Sequence, residues 1–305
     1  MTQPDSRAWL SLAAAMSIVG SSVVTGKLMV ESFPIFIAST LRFAIAVLVL
    51  IALVLVRERH LPKLAARTHV ILALQAATGI VMFNALLLAG LERTTAATSG
   101  IITSATPVMI LVFSIALGER LRSRAVVGIG VATFGLLVLN LFGSSEAEAG
   151  NQHLTGALLV IGAVAGEALY TILGKAVSDR LTPTTQAFWV SLYGLLMFIP
   201  FAVIEWPGFD IAETEPAGWF AIGYSAVFVT VVAFSLWFYG LRHVPASLAG
   251  IFTGMIPVTA VVLAAIVLGE SIGWAHILGI ACVLIAIGLI ATERQPAPVT
   301  APRPG

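Results

Sequence analysis

The chain has 305 residues, 59% of them hydrophobic and only 10% charged, with a mean hydropathy of +1.02. Sixteen Lys and Arg against fifteen Asp and Glu leave a net charge of +1, where a soluble domain carries about 25% charged residues and a nucleic-acid binder clusters its basic ones. Disorder, coiled coil, collagen and a disulfide scaffold are excluded by the same figures, and the single Cys282 reads as apolar packing.

A membrane-spanning helix needs about 20 apolar residues. In chain order such runs cover 8–26, 32–56, 68–91, 94–118, 125–145, 149–174, 181–204, 216–241, 243–269 and 271–292. Only the second and sixth are interrupted by a charge, Arg42 and Glu167. The expectation is an all-α integral membrane protein of ten helices, since barrel strands are about 10 residues long and alternate polar with apolar. The first run is longer than a signal-peptide core and is read as a span.

The basic residues set an expected orientation. With the N-terminus inside, the internal loops and tails hold thirteen Lys and Arg, among them Arg57, Arg59, Lys63, Arg67, Arg120 and Arg180, against Lys27 and Arg93 outside. Both termini are therefore expected on the cytoplasmic side of the membrane. The proline-rich tail, 293–305, is expected to be disordered.

The segment 91–121 lines up with 241–272. Gly90 matches Gly240, Gly100 matches Gly250, Thr103 matches Thr253 and Pro107 matches Pro257, and both segments close on Leu-Gly-Glu. The chain thus divides into five-helix units, 1–148 and 149–292. Five is odd, so the second unit enters the membrane from the opposite side. Inverted repeats around a central cavity are an architecture of secondary transporters.

Two tandem five-helix units, each closing its fourth helix with Leu-Gly-Glu, resemble the EamA-type members of the drug/metabolite transporter superfamily over roughly residues 8–292. Within it the sequence is most similar to the YddG-type exporters of aromatic and other amino acids. The resemblance implies a metabolite exporter whose central cavity opens to either side in turn.

Pro107 and Pro257 fall about halfway along their runs, each freeing the carbonyl four residues earlier, those of Thr103 and Thr253. Such carbonyls at membrane depth must be buried in protein or line a cavity. Their matched placement favours hinges, with Gly100 and Gly250 alongside. The alternative is a static kink whose carbonyl is bonded by Thr106 or another hydroxyl. The small residues of these helices, such as Ala96, Ser99, Ala246 and Ser247, read first as close packing.

Intramembrane charges are costly and call for a functional explanation. For Glu167 two readings stand side by side: a functional one, as substrate contact or proton carrier, and an interhelical bond to hydroxyls or carbonyls. Arg42 resembles a recurrent Arg of the family's second helix and is read as structural. Asn84, Tyr170, Tyr193 and Trp237 are candidates, with Thr103 and Thr253, for the polar groups of a substrate cavity. Trp237 is equally read as an interfacial anchor, while His60 and His153 read as loop residues.

The expected partners are a small-molecule substrate and the lipid bilayer, with no nucleic acid, and the two-unit chain is compatible with a monomer. No phosphate-cradling loop is present, and no cofactor or metal is expected. A small-drug or lipophilic-cation exporter is the nearest alternative. An intramembrane enzyme would want a zinc pair, paired aspartates or a Ser/His pair, none of which the spans supply. A channel would favour a ring of equivalent polar residues.

Overall fold

A computed structural model of the chain describes residues 6–91, 93, 102–103, 105–118, 123–142, 153–268 and 273–291. Among these every regular element is helical and none is a strand. The helices are α1 (Ser6–Ser32), α2 (Ile35–Glu58), α3 (Ala66–Ala76), α4 (Phe83–Leu91), α5 (Thr106–Ala116), α6 (Ser123–Phe142) and α7 (His153–Ser178). They continue with α8 (Pro183–Glu205), α9 (Pro216–Tyr224), α10 (Ala233–His243), α11 (Ala246–Ile251), α12 (Met255–Leu268) and α13 (Trp274–Ala291).

Four prolines mark helix starts, where a missing N–H does no harm, while Pro200 lies inside α8. Pro34 precedes α2, Pro183 and Pro216 open α8 and α9, and Pro245 precedes α11. The Thr182 hydroxyl also accepts from Thr185 N at 3.2 Å, capping α8.

Among the described residues five helical stretches are long and apolar enough to cross a membrane: 35–58, 66–87, 154–178, 183–208 and 216–243. Helical segments α1, α5, α6, α11–α12 and α13 lie in the other five apolar runs. Two stretches pass through a wide π-helical turn, Ala77–Met82 between α3 and α4 and Ser225–Val232 between α9 and α10. In a bilayer the exposed apolar side chains, such as Leu48, Val56, Leu158, Ile204 and Ile266, face a solvent as apolar as themselves.

The packing pairs helices across the two halves of the chain. The first helix, α1, packs on α10 and α12, while α7 packs on α4 and α5; α2 pairs with α8 and α6 with α13. Glycines set two of these approaches. A Cβ at Gly90 would lie 2.6 Å from Val160 Cγ2, and one at Gly240 would lie 2.4 Å from Leu12 Cγ.

The α2–α8 pair is tied at both ends by carboxylates. Glu205, at the end of α8, accepts from Phe36 N at 2.9 Å and Ile37 N at 3.1 Å, the free donors of the first turn of α2. Glu58, at the end of α2, accepts from the hydroxyls of Thr182 and, at 2.7 Å, Thr185, where α8 begins.

Candidate substrate cavity

A half-open cavity of about 160 Å³ lies where the halves meet. Glu167, Tyr170 and Thr171 of α7 form one wall, and Phe234 and Trp237 of α10 another. Gly79 and Ile80 of the first π turn, Phe83 of α4, Met16 and Val19 of α1, and Thr253 and Ile256 near the start of α12 complete it.

Tyr170 reaches this position because residue 79 is glycine. A Cβ there would sit 2.3 Å from Tyr170 Cβ and 2.4 Å from the ring, so the ring lies directly on the π-turn backbone. Phe234 and Phe238 flank it, with centroids 6.3 and 6.1 Å away. The Tyr170 hydroxyl and Trp237 Nε1 are both buried and, among the described residues, without a hydrogen-bond partner.

The Glu167 carboxylate accepts from Thr106 Oγ1 at 3.1 Å. The same hydroxyl lies 2.8 Å from the Thr103 carbonyl, the one that Pro107 deprives of its helical donor. Pro107 falls in the first turn of α5, and Pro257 follows a 3₁₀ turn, Phe252–Gly254, that separates α11 from α12. Both prolines therefore open a new helical segment rather than bend a continuous one. The Thr253 hydroxyl donates to Gly250 O at 2.7 Å. Gly250 serves close packing, since a Cβ there would lie 2.8 Å from Ile110 Cδ1. Gly100, Ala96 and Ser99 lie outside the described residues.

Arg42 does not pair with Glu167. Its Nε donates to Thr230 Oγ1 at 2.8 Å, and its guanidinium lies 5.3 Å from the centre of the Phe43 ring, within electrostatic range of Tyr170. The bond to Thr230 anchors α2 to the second π turn.

Two expected cavity residues lie elsewhere. Tyr193 hydrogen-bonds His69 Nδ1 at 2.7 Å and stacks on Trp189, which also meets the His69 ring edge-on at 4.7 Å. Asn84 is exposed and turns its amide back to the Ile80 carbonyl. Lys175 caps the end of α10, donating to Leu241 O at 2.8 Å and Arg242 O at 3.1 Å. His153 opens α7 instead of lying in a loop.

Sequence reasoning missed His69, Gln75 and Gln186. Gln186 donates to Gly174 O at 2.9 Å, while Gln75 is wholly buried and among the described residues neither of its amide atoms has a partner. A polar residue in an otherwise apolar run was the available signal.

The model of the EamA-like transporter family matches residues 7–141 and again 154–292. The chain belongs to the EamA-like transporter family. It is 42% identical over 291 residues to an uncharacterised transporter, YetK, of Bacillus subtilis (strain 168), covering 95% of this chain and 88% of YetK. It is 26% identical over 300 residues to an uncharacterised inner membrane transporter, YedA, of Escherichia coli (strain K12), covering 96% and 94%. A crystal structure at 18% identity superposes with a TM-score of 0.79 over 93% of this chain and 96% of the other, a likeness of fold. An EamA-like chain with several apolar helices is a multi-pass membrane transporter. The relatives' names carry a transporter and no substrate.

Proposed function

We propose that this EamA-like transporter is a secondary carrier that exports small neutral or zwitterionic metabolites, amino acids first, by alternating access. One observation carries the reading: a cavity between the halves of the chain, walled by aromatic and apolar side chains and holding one carboxylate. A few polar groups in an apolar pocket are what a small amphipathic ligand needs.

The helix pairing supports ten helices in two inverted units. Exchanging the halves turns α1 against α10 and α12 into α7 against α4 and α5, and leaves the α2–α8 and α6–α13 pairs unchanged. The π turns also fall at equivalent places. The interrupted stretch at 252–254 is where a rocking motion has least backbone bonding to break. The charge bias of the loops supports cytoplasmic termini.

Export of lipophilic cations is the second reading, favoured by Glu167 beside the rings of Tyr170, Phe234 and Trp237. Proteoliposomes tested with a panel of labelled amino acids and lipophilic cations, with and without a pH gradient, separate the two. Saturable flux with counterflow of amino acids supports the first reading. Counterflow of lipophilic cations alone moves the assignment to the second, and flux without counterflow makes the protein a channel.

A further inference from the structure

Resting on the carrier reading, we infer that Gln75 and Gln186 hold water in a buried polar passage along α7. The passage leads from the cavity carboxylate, Glu167, to the Ser178 end of the helix and carries a proton between the two.

One face of α7 is polar along its second half. Glu167, Thr171, Gly174 and Ser178 follow at spacings of four, three and four residues, which places them on one side of the helix. Glu167 and Thr171 belong to the cavity wall. Gly174 comes about one turn after Thr171, and Ser178 about one turn after that. Both are buried, and the chain reaches exposed positions immediately beyond, at Asp179 and Arg180.

Glutamines from two other helices meet at Gly174. Gln186 of α8 donates from Nε2 to Gly174 O at 2.9 Å. Gln75 of α3 rests on the same residue, since a Cβ there would lie 2.6 Å from Gln75 Nε2. Leu241 Cδ2 and Phe238 Cε1 of α10 lie 3.1 and 3.4 Å from that point. Gln75 is 0% and Gln186 1% exposed. Among the described residues both amide atoms of Gln75 and the Oε1 of Gln186 have no hydrogen-bond partner. Buried amides left this way are uncommon and destabilising.

The unpartnered set is one donor and two acceptors. A cation would suit the two oxygens and be repelled by the Gln75 N–H group, and an anion would meet the reverse conflict. Water donates and accepts, so it serves all three. The amides stay neutral and hold the waters in line. A proton leaving the Glu167 carboxyl forms an O–H bond on the nearest water, which passes one of its own protons onward. One proton enters and one leaves. Of the titratable groups on the surrounding helices, Lys175 donates to Leu241 O and Arg242 O, His69 bonds Tyr193 and His243 bonds Tyr239 O. Arg67, Asp179, Arg180 and Arg242 are exposed.

Radiolytic hydroxyl labelling in ¹⁸O-water marks side chains that touch bound water. In the wild-type protein Phe238 and Leu241 are expected to label several-fold more than Phe252, which is as deeply buried. Labelling no greater than that of Phe252 would overturn the passage, and this comparison needs no variant to fold. Gln75→Met with Gln186→Met keeps the side-chain length and removes the amides. The double variant is expected to lose the excess labelling and the acceleration of L-phenylalanine transport by a pH gradient, while counterflow of L-phenylalanine in proteoliposomes is unchanged. Gradient acceleration intact in a monodisperse double variant would overturn the passage and leave the carrier standing. Absence of any counterflow by the wild-type protein would overturn the amino-acid carrier reading, and with it the passage as a route for a coupling proton.

Discussion

Thr106 Oγ1 lies between two acceptors, 3.1 Å from a Glu167 carboxylate oxygen and 2.8 Å from the Thr103 carbonyl. A hydroxyl has one proton to donate. With Glu167 ionised, the carboxylate and the carbonyl compete for it. With Glu167 protonated, the carboxyl donates to Thr106 Oγ1 and Thr106 donates to Thr103, so every member is satisfied. The proton state of the buried carboxyl is thereby linked to the backbone break before α5.

Thr106→Val keeps the shape and removes the hydroxyl. It leaves Glu167 and a buried carbonyl without this donor, and the expected loss is about 1–3 kcal/mol. Thermal unfolding in detergent should show a lower Tm, with substrate exchange reduced. Thr106→Ser, which restores the hydroxyl, should recover both. A Val variant as stable and active as wild type would remove Thr106 from the account.

Gly79→Ala should impair the cavity without any change of charge. The added Cβ would fall 2.3 Å from Tyr170 Cβ and 2.4 Å from its ring. Overpacking of this kind costs typically 1–3 kcal/mol. Gly130 is the control, since nothing lies within 4 Å of its would-be Cβ and it sits inside α6. Gly130→Ala should leave Tm and exchange unchanged or raise Tm slightly. Equal behaviour of the two variants would refute the packing argument.

The reciprocal ties of α2 and α8 make a prediction about additivity. Glu205→Ala removes the acceptor for Phe36 N and Ile37 N, and Glu58→Ala removes that for Thr182 and Thr185. Each should destabilise by about 1 kcal/mol. The two sites lie at opposite ends of 24-residue α2, roughly 36 Å apart. Their effects should therefore add in the double variant, measured by unfolding in detergent. A double variant no worse than either single one would mean the ends do not act independently.

Orientation is checked by chemistry from one side. Ser144→Cys should react with an impermeant thiol reagent added outside intact cells, and Ala66→Cys should not. Cys282 is buried and gives little background. The reverse labelling pattern would invert the topology.

Apolar runs and the two charges inside spans were legible because each is a local pattern. So was the alternative that a hydroxyl bonds the carbonyl freed by proline, which is what Thr106 does at Thr103. Pairings far apart in sequence were not legible. His69 meets Tyr193 across 124 positions, and nothing local to either announces it. Asn84 shows a different failure. It follows the wide turn Ala77–Met82, which rotates later residues away from the face that a 3.6-residue period assigns. Gly79 reads as an unremarkable helical glycine until Tyr170 is seen resting on it.

Glu167→Gln tests whether the buried carboxyl carries the coupling proton. Glutamine keeps the length of the side chain and can still accept from Thr106, so the packing of α7 on α5 should survive. It cannot take up or release a proton. At saturating substrate the variant should still exchange solute across proteoliposomes. A pH gradient that accelerates wild-type transport should leave the variant's rate unchanged. If Glu167 served only to bond Thr106, the well-folded variant would respond to the gradient as the wild type does. Gradient-stimulated transport persisting in a monodisperse Glu167→Gln protein would thus end the proton-carrier reading, while its loss with exchange intact would separate coupling from binding at this one carboxyl.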